Sequence, residues 1–202
     1  MKIKGLEMGS IGTNCYVVSD DNNICAIIDC DGNPKPLFDY VEANQLTPTH
    51  ILLTHGHFDH IGAVEVVKEK YGCHVIACEK EREVLENPSV NVSSFSGFPI
   101  SLLADSYCKE GDIITVGDLN FTVMETPGHT VGSVCFVIED AIFSGDTLFL
   151  GSCGRTDFPT GDWNTILQSL QRLKNLEKDY VVYPGHGPAT TLANERVSNP
   201  YM

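Results

Sequence analysis

Between His50 and Gly62 the chain reads HILLTHGHFDHIG, which sets His55, His57, Asp59 and His60 within six consecutive positions. Imidazole and carboxylate are the standard protein ligands for zinc and the neighbouring transition metals. Whether they converge depends on the backbone. Positions two apart on a helix point roughly 200° from each other; in an extended segment they share a side. Ile51-Leu52-Leu53 is an apolar run suited to a buried strand. His55 and His57 would leave its C-terminal end facing the same way. Asp59 and His60 would open the next element and point into the same cleft. The pattern suits two adjacent metal ions.

Three later candidates each sit directly after an apolar strand. Thr126-Pro127-Gly128-His129-Thr130 follows FTVME, Ser144-Gly145-Asp146-Thr147 follows AIF, and Pro184-Gly185-His186-Gly187 follows YVVY. A glycine beside each ligand permits a sharp strand exit and close backbone approach to an ion. A lone histidine is most often a surface or satisfied core residue, and a lone Gly-Asp is most often a turn. Here five of the seven histidines (55, 57, 60, 129 and 186) fall at such junctions, which argues for one shared site. His50 and His74 lie outside the pattern.

The elements that must position these residues are short. Strands are expected over 3–8, 14–19 and 24–29, separated by the turn-rich GSIGT and DDNN. A helix begins at Asp31-Gly32-Asn33-Pro34 and runs to about Asn44. From Ile61 the spacing of Ile61, Val64 and Val67 predicts an amphipathic helix closed by Gly72. A strand over 73–78 and a short helix over 79–86 follow. The polar, aperiodic stretch 87–101 is the candidate for a mobile loop over an active site. Strands are expected at 113–116, 120–125, 133–138 and 141–144, a helix over 162–175, and a last strand over 179–183. Strands, then a helix and a further strand in each half suggest two sheets stacked face to face with helices outside.

The chain of 202 residues, 42% hydrophobic, suits one globular domain spanning 1–202. Lys plus Arg is 13 and Asp plus Glu is 27, a formal net charge of −14. That balance opposes nucleic-acid or anionic-membrane partners. The N-terminus resembles no signal peptide, and no stretch approaches the ~20 apolar residues of a spanning helix, so a cytoplasmic enzyme is expected. The eight cysteines form no CxxC pair and are expected to be buried thiols, Cys153 excepted.

Thr54-His55-Gly56-His57-Phe58-Asp59-His60 with His129, Asp146 and His186 resembles the metallo-β-lactamase superfamily. The resemblance implies an α/β fold, an αββα sandwich of two mixed β-sheets flanked by helices. Carried over by position, His55, His57 and His129 would hold the first metal, Asp59, His60 and His186 the second, and Asp146 would bridge both. The segment 144–149 with GSCGRTDF at 151–158 is similar to glyoxalase II (hydroxyacylglutathione hydrolase) and its short relatives, and also to persulfide dioxygenases. Thr13-Asn14-Cys15-Tyr16 resembles the N-terminal strand pair of that group. Full-length glyoxalase II carries a C-terminal helical region with glutathione contacts; here the chain runs only from His186 to Met202, and Gly187-Pro188 stands where that enzyme has a tyrosine.

The expected activity is a metal-dependent hydrolase cleaving a small-molecule thioester through a metal-bound hydroxide. The cofactors would be two divalent ions, zinc first, with iron or manganese accommodated by the same ligands. Asp59 and Asp146 would act catalytically by balancing the cations while leaving a strongly positive field. Arg155, on a Gly-rich loop, would pair with a substrate carboxylate. The alternatives are a mononuclear iron persulfide dioxygenase using His55, His129 and Asp146, and a lactone or other ester hydrolase using the same site.

Overall fold

Strand side chains alternate between faces, and here both faces are apolar. Ile27 and Ile28, Ile51 and Leu52, and Cys135 and Phe136 are neighbours in sequence and all buried, yet each pair divides between two different cores. A strand with two buried faces must lie inside a layered structure. The computed structural model, which describes residues 1–202, has that architecture.

The first half builds a six-stranded sheet in chain order from β1 (Lys2–Met8), β2 (Thr13–Ser19), β3 (Ile24–Ile28), β4 (Thr47–Leu52), β5 (His74–Cys78) and β6 (Ser106–Cys108). β1 to β3 pair antiparallel and β3 to β6 parallel. The crossovers carry α1 (Lys35–Ala43), α2 (Phe58–Ile61), α3 (Val64–Tyr71) and α4 (Arg82–Glu86). The second half supplies β7 (Ile113–Val116), β8 (Leu119–Glu125), β9 (Val134–Ile138), β10 (Ala141–Gly145), a small hairpin β11 (Leu148–Phe149) and β12 (Ser152–Cys153), α5 (Trp163–Lys174), β13 (Val181–Pro184), β14 (Thr190–Thr191) and α6 (Leu192–Ser198). Its six-stranded sheet runs β14-β13-β10-β9-β8-β7, parallel only between β10 and β13.

Three apolar layers hold this together. Tyr16, Val18, Ile28 and Leu52 from the first sheet meet Phe121, Val134, Phe136 and Phe143 from the second. Leu37, Val41, Val64 and Val67 cover the outer face of the first sheet. Leu170, Leu173 and Leu192 cover that of the second. The fold is therefore the expected αββα sandwich. No helix is long and apolar enough to cross a membrane.

The expected elements are present with informative differences. The helix expected from Ile61 is broken between α2 and α3, because the exit of β3 grips it. Cys30 N–H donates to His60 O and Ala63 N–H to Cys30 O, and a Cβ on Gly62 would lie 2.1 Å from Asp31 Oδ1. The segment 79–86 opens with a 3₁₀ turn, Glu79–Glu81, before α4. Val181–Pro184 is not the last strand, since β14 and α6 follow it; β6, β11 and β12 are likewise additional. Strands of two or three residues are too short to display a period.

At the top of the sandwich Glu81, fully buried, joins loops from both sheets. Oε2 accepts Gly56 N–H at 2.7 Å; Oε1 accepts Gly132 N–H and the Thr130 hydroxyl, both at 2.7 Å. Removing the carboxylate leaves buried donors unpaired. Glu81→Ala is expected to lower unfolding stability by about 3 kcal/mol, read as a fall in urea midpoint at unchanged slope.

Candidate metal centre

Every ligand candidate stands at or just past a strand's C-terminal end. β4 leads into His55-Gly56-His57, with His57 in extended backbone as the residue before α2. α2 then turns Asp59 and His60 back over the strand end. His129 sits in the loop between β8 and β9, Asp146 directly after β10, and His186 two residues past the end of β13. All seven expected ligands meet. His55, His57 and His129 offer ligand atoms within 4.8 Å of one another, as do Asp59, His60 and His186. Asp146 lies between the sets: Oδ2 is 3.5 Å from His129 Nε2 and Oδ1 is 3.4 Å from His60 Nε2.

The donor set fits divalent cations. His55 Nε2, His57 Nε2, His60 Nε2 and Asp146 Oδ1 are buried without a hydrogen-bond partner, a state that costs free energy unless something else satisfies them. His57 Nδ1 approaches His129 Nε2 to 2.9 Å, attractive only with a proton or cation between the nitrogens. Gly185 leaves room for the centre, since a Cβ there would lie 2.2 Å from Asp146 Oδ1 and 2.7 Å from His60 Cε1.

The electrostatics agree. Burial, then neighbouring imidazoles, hold His55 well below the usual imidazole range; burial, then His129, brings His57 down to about 3. Both are therefore neutral, the form that ligates metal. Burial would also lower His60, but Asp59, Asp146 and Asp29 outweigh it and push it well above that range. His186 likewise rises against its burial through its hydrogen bond to Asp59. The carboxylates of Asp59, Asp146 and Asp29 thus draw positive charge into this space.

Residues beyond the expected set orient the ligands. Asp29, buried at the end of β3 with φ +52°, lies 2.8 Å from His60 Nδ1 through Oδ2 and accepts the Thr54 hydroxyl at 2.7 Å. Thr54 Oγ1 in turn lies 3.2 Å from His55 Nδ1. One carboxylate thereby aims Nε2 of two histidines at the centre. His129 Nδ1 donates to Arg155 O at 2.7 Å, which turns its Nε2 toward His57 and Asp146. Thr13 donates to Asp59 Oδ2 at 3.0 Å, while Asn14 Nδ2 and the Tyr16 hydroxyl donate to Pro184 O at 3.0 and 2.7 Å and steady the His186 loop. That is what Thr13-Asn14-Cys15-Tyr16 does here. Asp29 follows the apolar ICAII, so the strand-end rule that found Asp146 applies to it too.

The centre opens into a cavity of about 670 Å³ walled by Ile11, Phe58, Val92, Phe149 and Phe158, with Cys153 and Arg155 at its edge. The loop at 87–101 reaches it through Val92 and is rooted by the buried Asn91, whose carbonyl accepts Phe58 N–H. Arg155 lies over the Phe158 ring at 3.9 Å and is gripped by Asp157, with both contacts at 2.7 Å. That pair is exposed and screened by solvent. Seven cysteines are buried; Cys153 is half-buried, and burial pushes its thiol up rather than activating it. His50 and His74 face each other across β4 and β5 and line a separate groove.

Fold and site together define a class of metal-dependent hydrolase. The model of the metallo-beta-lactamase superfamily matches residues 8–186, and the chain belongs to that superfamily. It is 35% identical to hydroxyacylglutathione hydrolase GloC of Haemophilus influenzae, over 100% of this chain and 98% of that one. Among solved structures it resembles the B3 metallo-beta-lactamase BLEG-1, with a TM-score of 0.94, 40% identity and 99% of each chain covered. It also resembles TTHA1623 in a di-iron-bound form, with a TM-score of 0.89, 34% identity, and 98% of this chain and 100% of that one covered.

Replacing Asp29 by Asn keeps its shape and removes the charge that orients His60. Metal affinity, measured by competition with a chromophoric chelator, is expected to fall by about 10–100-fold with little change in fold by circular dichroism.

Proposed function

We propose that the protein is a thiolester hydrolase of the glyoxalase II type, acting on a small-molecule thioester such as a hydroxyacyl-glutathione. The observation that carries this reading is Asp146, set between two complete ligand sets at the floor of an apolar cavity with one cation at its edge. The relative named hydroxyacylglutathione hydrolase supports it over nearly the full length of both chains.

In this reading His55, His57 and His129 would hold one divalent ion and Asp59, His60 and His186 the other, with Asp146 within reach of both sets. When bound, such a pair supplies Lewis acidity to a carbonyl oxygen and lowers the pKa of a water toward ~7. The chain's own residues do the rest. Asp59, steadied by Thr13, and Asp146 set the charge balance of the centre. Phe58, Val92, Phe149 and Phe158 exclude bulk water and seat the organic part of the substrate, which strengthens charge interactions at the carbonyl. Arg155 exchanges Asp157 for a substrate carboxylate and so fixes the thioester's orientation.

Iron is a second reading for the metals, favoured by the di-iron relative. The mononuclear persulfide dioxygenase would use His55, His129 and Asp146 of the same set.

Protein purified without added metal is expected to carry two ions per chain and to release thiol from a hydroxyacyl thioester. One iron per chain with oxygen uptake, or faster turnover of a lactone, would reject the proposal in favour of the corresponding alternative. His57→Ala should abolish metal binding and thiol release together; full activity at unchanged metal content would defeat the ligand assignment. Arg155→Ala should raise KM for an anionic thioester by about tenfold or more and leave kcat within a few-fold, and an unchanged KM would remove Arg155 from substrate binding.

A further inference from the structure

The hairpin of β11 and β12 forms one wall of the cavity through Phe149, Ser152 and Cys153. Two residues paired with two is far below what holds a hairpin together in water. Its placement must therefore be imposed from outside. At its root, Leu148 is buried and its carbonyl accepts the Ser144 hydroxyl at 2.8 Å. At its tip, the turn residue Gly151, at φ +66°, gives its N–H to Glu195 Oε2 at 2.8 Å. Ser152 O accepts Asn199 Nδ2 at 3.0 Å. Both side chains come from the C-terminal end of the chain, Glu195 in α6 and Asn199 just after it.

Glu195 is fully buried, and a buried carboxylate is costly unless donors surround it. Here there are four. Oε1 accepts the Thr190 hydroxyl at 2.6 Å and Asn194 Nδ2 at 2.8 Å; Oε2 accepts Gly151 N–H and Asn199 Nδ2, the latter at 2.9 Å. An apolar side chain would dock α6 equally well, as Leu192 does. The carboxylate adds a directional tie between α6 and the hairpin tip. The chain next to the hairpin is fixed separately, by His129 Nδ1 donating to Arg155 O. The root beside Asp146 is fixed separately as well, by Gly185 N–H donating to Gly145 O at 2.8 Å and by Thr147 Oγ1 lying 2.8 Å from Thr126 Oγ1.

We propose that Glu195, assisted by Asn199, is a positioning residue that sets the hairpin wall of the substrate cavity and so governs substrate affinity. Its consequence for KM rests on the thiolester reading. Its consequence for the wall itself does not, because Cys153 in β12 reports it directly as the one cysteine that is not buried.

The test is the rate of Cys153 alkylation by iodoacetamide in the metal-loaded protein, mapped by peptide mass, alongside thioester kinetics and metal content. Glu195→Ala should speed labelling of Cys153 by about tenfold while the other cysteines stay protected. Asn199→Ala, which removes the tie to Ser152 and one of the four donors to Glu195 but leaves the Gly151 tie, should give a smaller increase. Glu195→Gln, which keeps one acceptor for Gly151, should restore the rate close to that of the unaltered protein. In Glu195→Ala, KM should rise with kcat and metal content held. Unchanged Cys153 labelling in both alanine variants would overturn the proposal, as would all eight cysteines reacting together or faster labelling without a change in KM. Unaltered protein that cleaves no thioester would instead refute the proposed function, with the labelling result still deciding the role of Glu195.

Discussion

Two carboxylates, Asp59 and Asp146, share one buried space, and their charge is the constraint around which the top of this molecule is built. Isolated buried anions cost many kcal/mol in a medium of low polarity. Here the compensation is a ring of imidazoles, and the two nearest the carboxylates, His60 and His186, rise in basicity as a direct result. The remaining three are held neutral by burial among one another. One region asks for positive charge while the adjacent one presents uncharged lone pairs. That division, rather than the number of histidines, makes the site a cation receptor.

Holding the division in place takes more residues than forming it. The seven groups leave their strands from four separate segments, and every exit is braced by a partner distant in sequence. Asp29 aligns two imidazoles from the end of β3, and Glu81 ties the loop after β4 to the loop between β8 and β9. Thr13, Asn14 and Tyr16 reach from β2 to Asp59 and to the loop after β13. Each brace is a short hydrogen bond in a buried or half-buried setting, where geometry is retained at little entropic cost once the sandwich has formed.

The convergence of these side chains was legible in the sequence because it obeys a local rule: a competent side chain with a glycine nearby at the end of an apolar run. The layered architecture was legible for a similar reason, since strand and helix periods alternate clearly in each half. What escaped was what local pattern cannot carry. Asp29 stands at the end of an apolar strand but lacks the neighbouring glycine that marked Asp146. The break after Ile61 comes from Cys30, a residue of another element. β11 and β12 have two residues each, and only tertiary contacts from α6 give them a place. Arg155, expected to meet a substrate carboxylate, lines the cavity, but its pairing with Asp157, two residues away, is a feature of side-chain geometry that composition does not encode.

Each three-residue ligand set draws on both sheets: His55 and His57 join His129, and Asp59 and His60 join His186. The half of the chain that emerges first from the ribosome thus exposes four tempting ligands but completes neither set. Neither three-residue set can close around a cation until the later strands have been made and docked. Occupancy of a complete set would therefore report that the two halves have been joined in the right register.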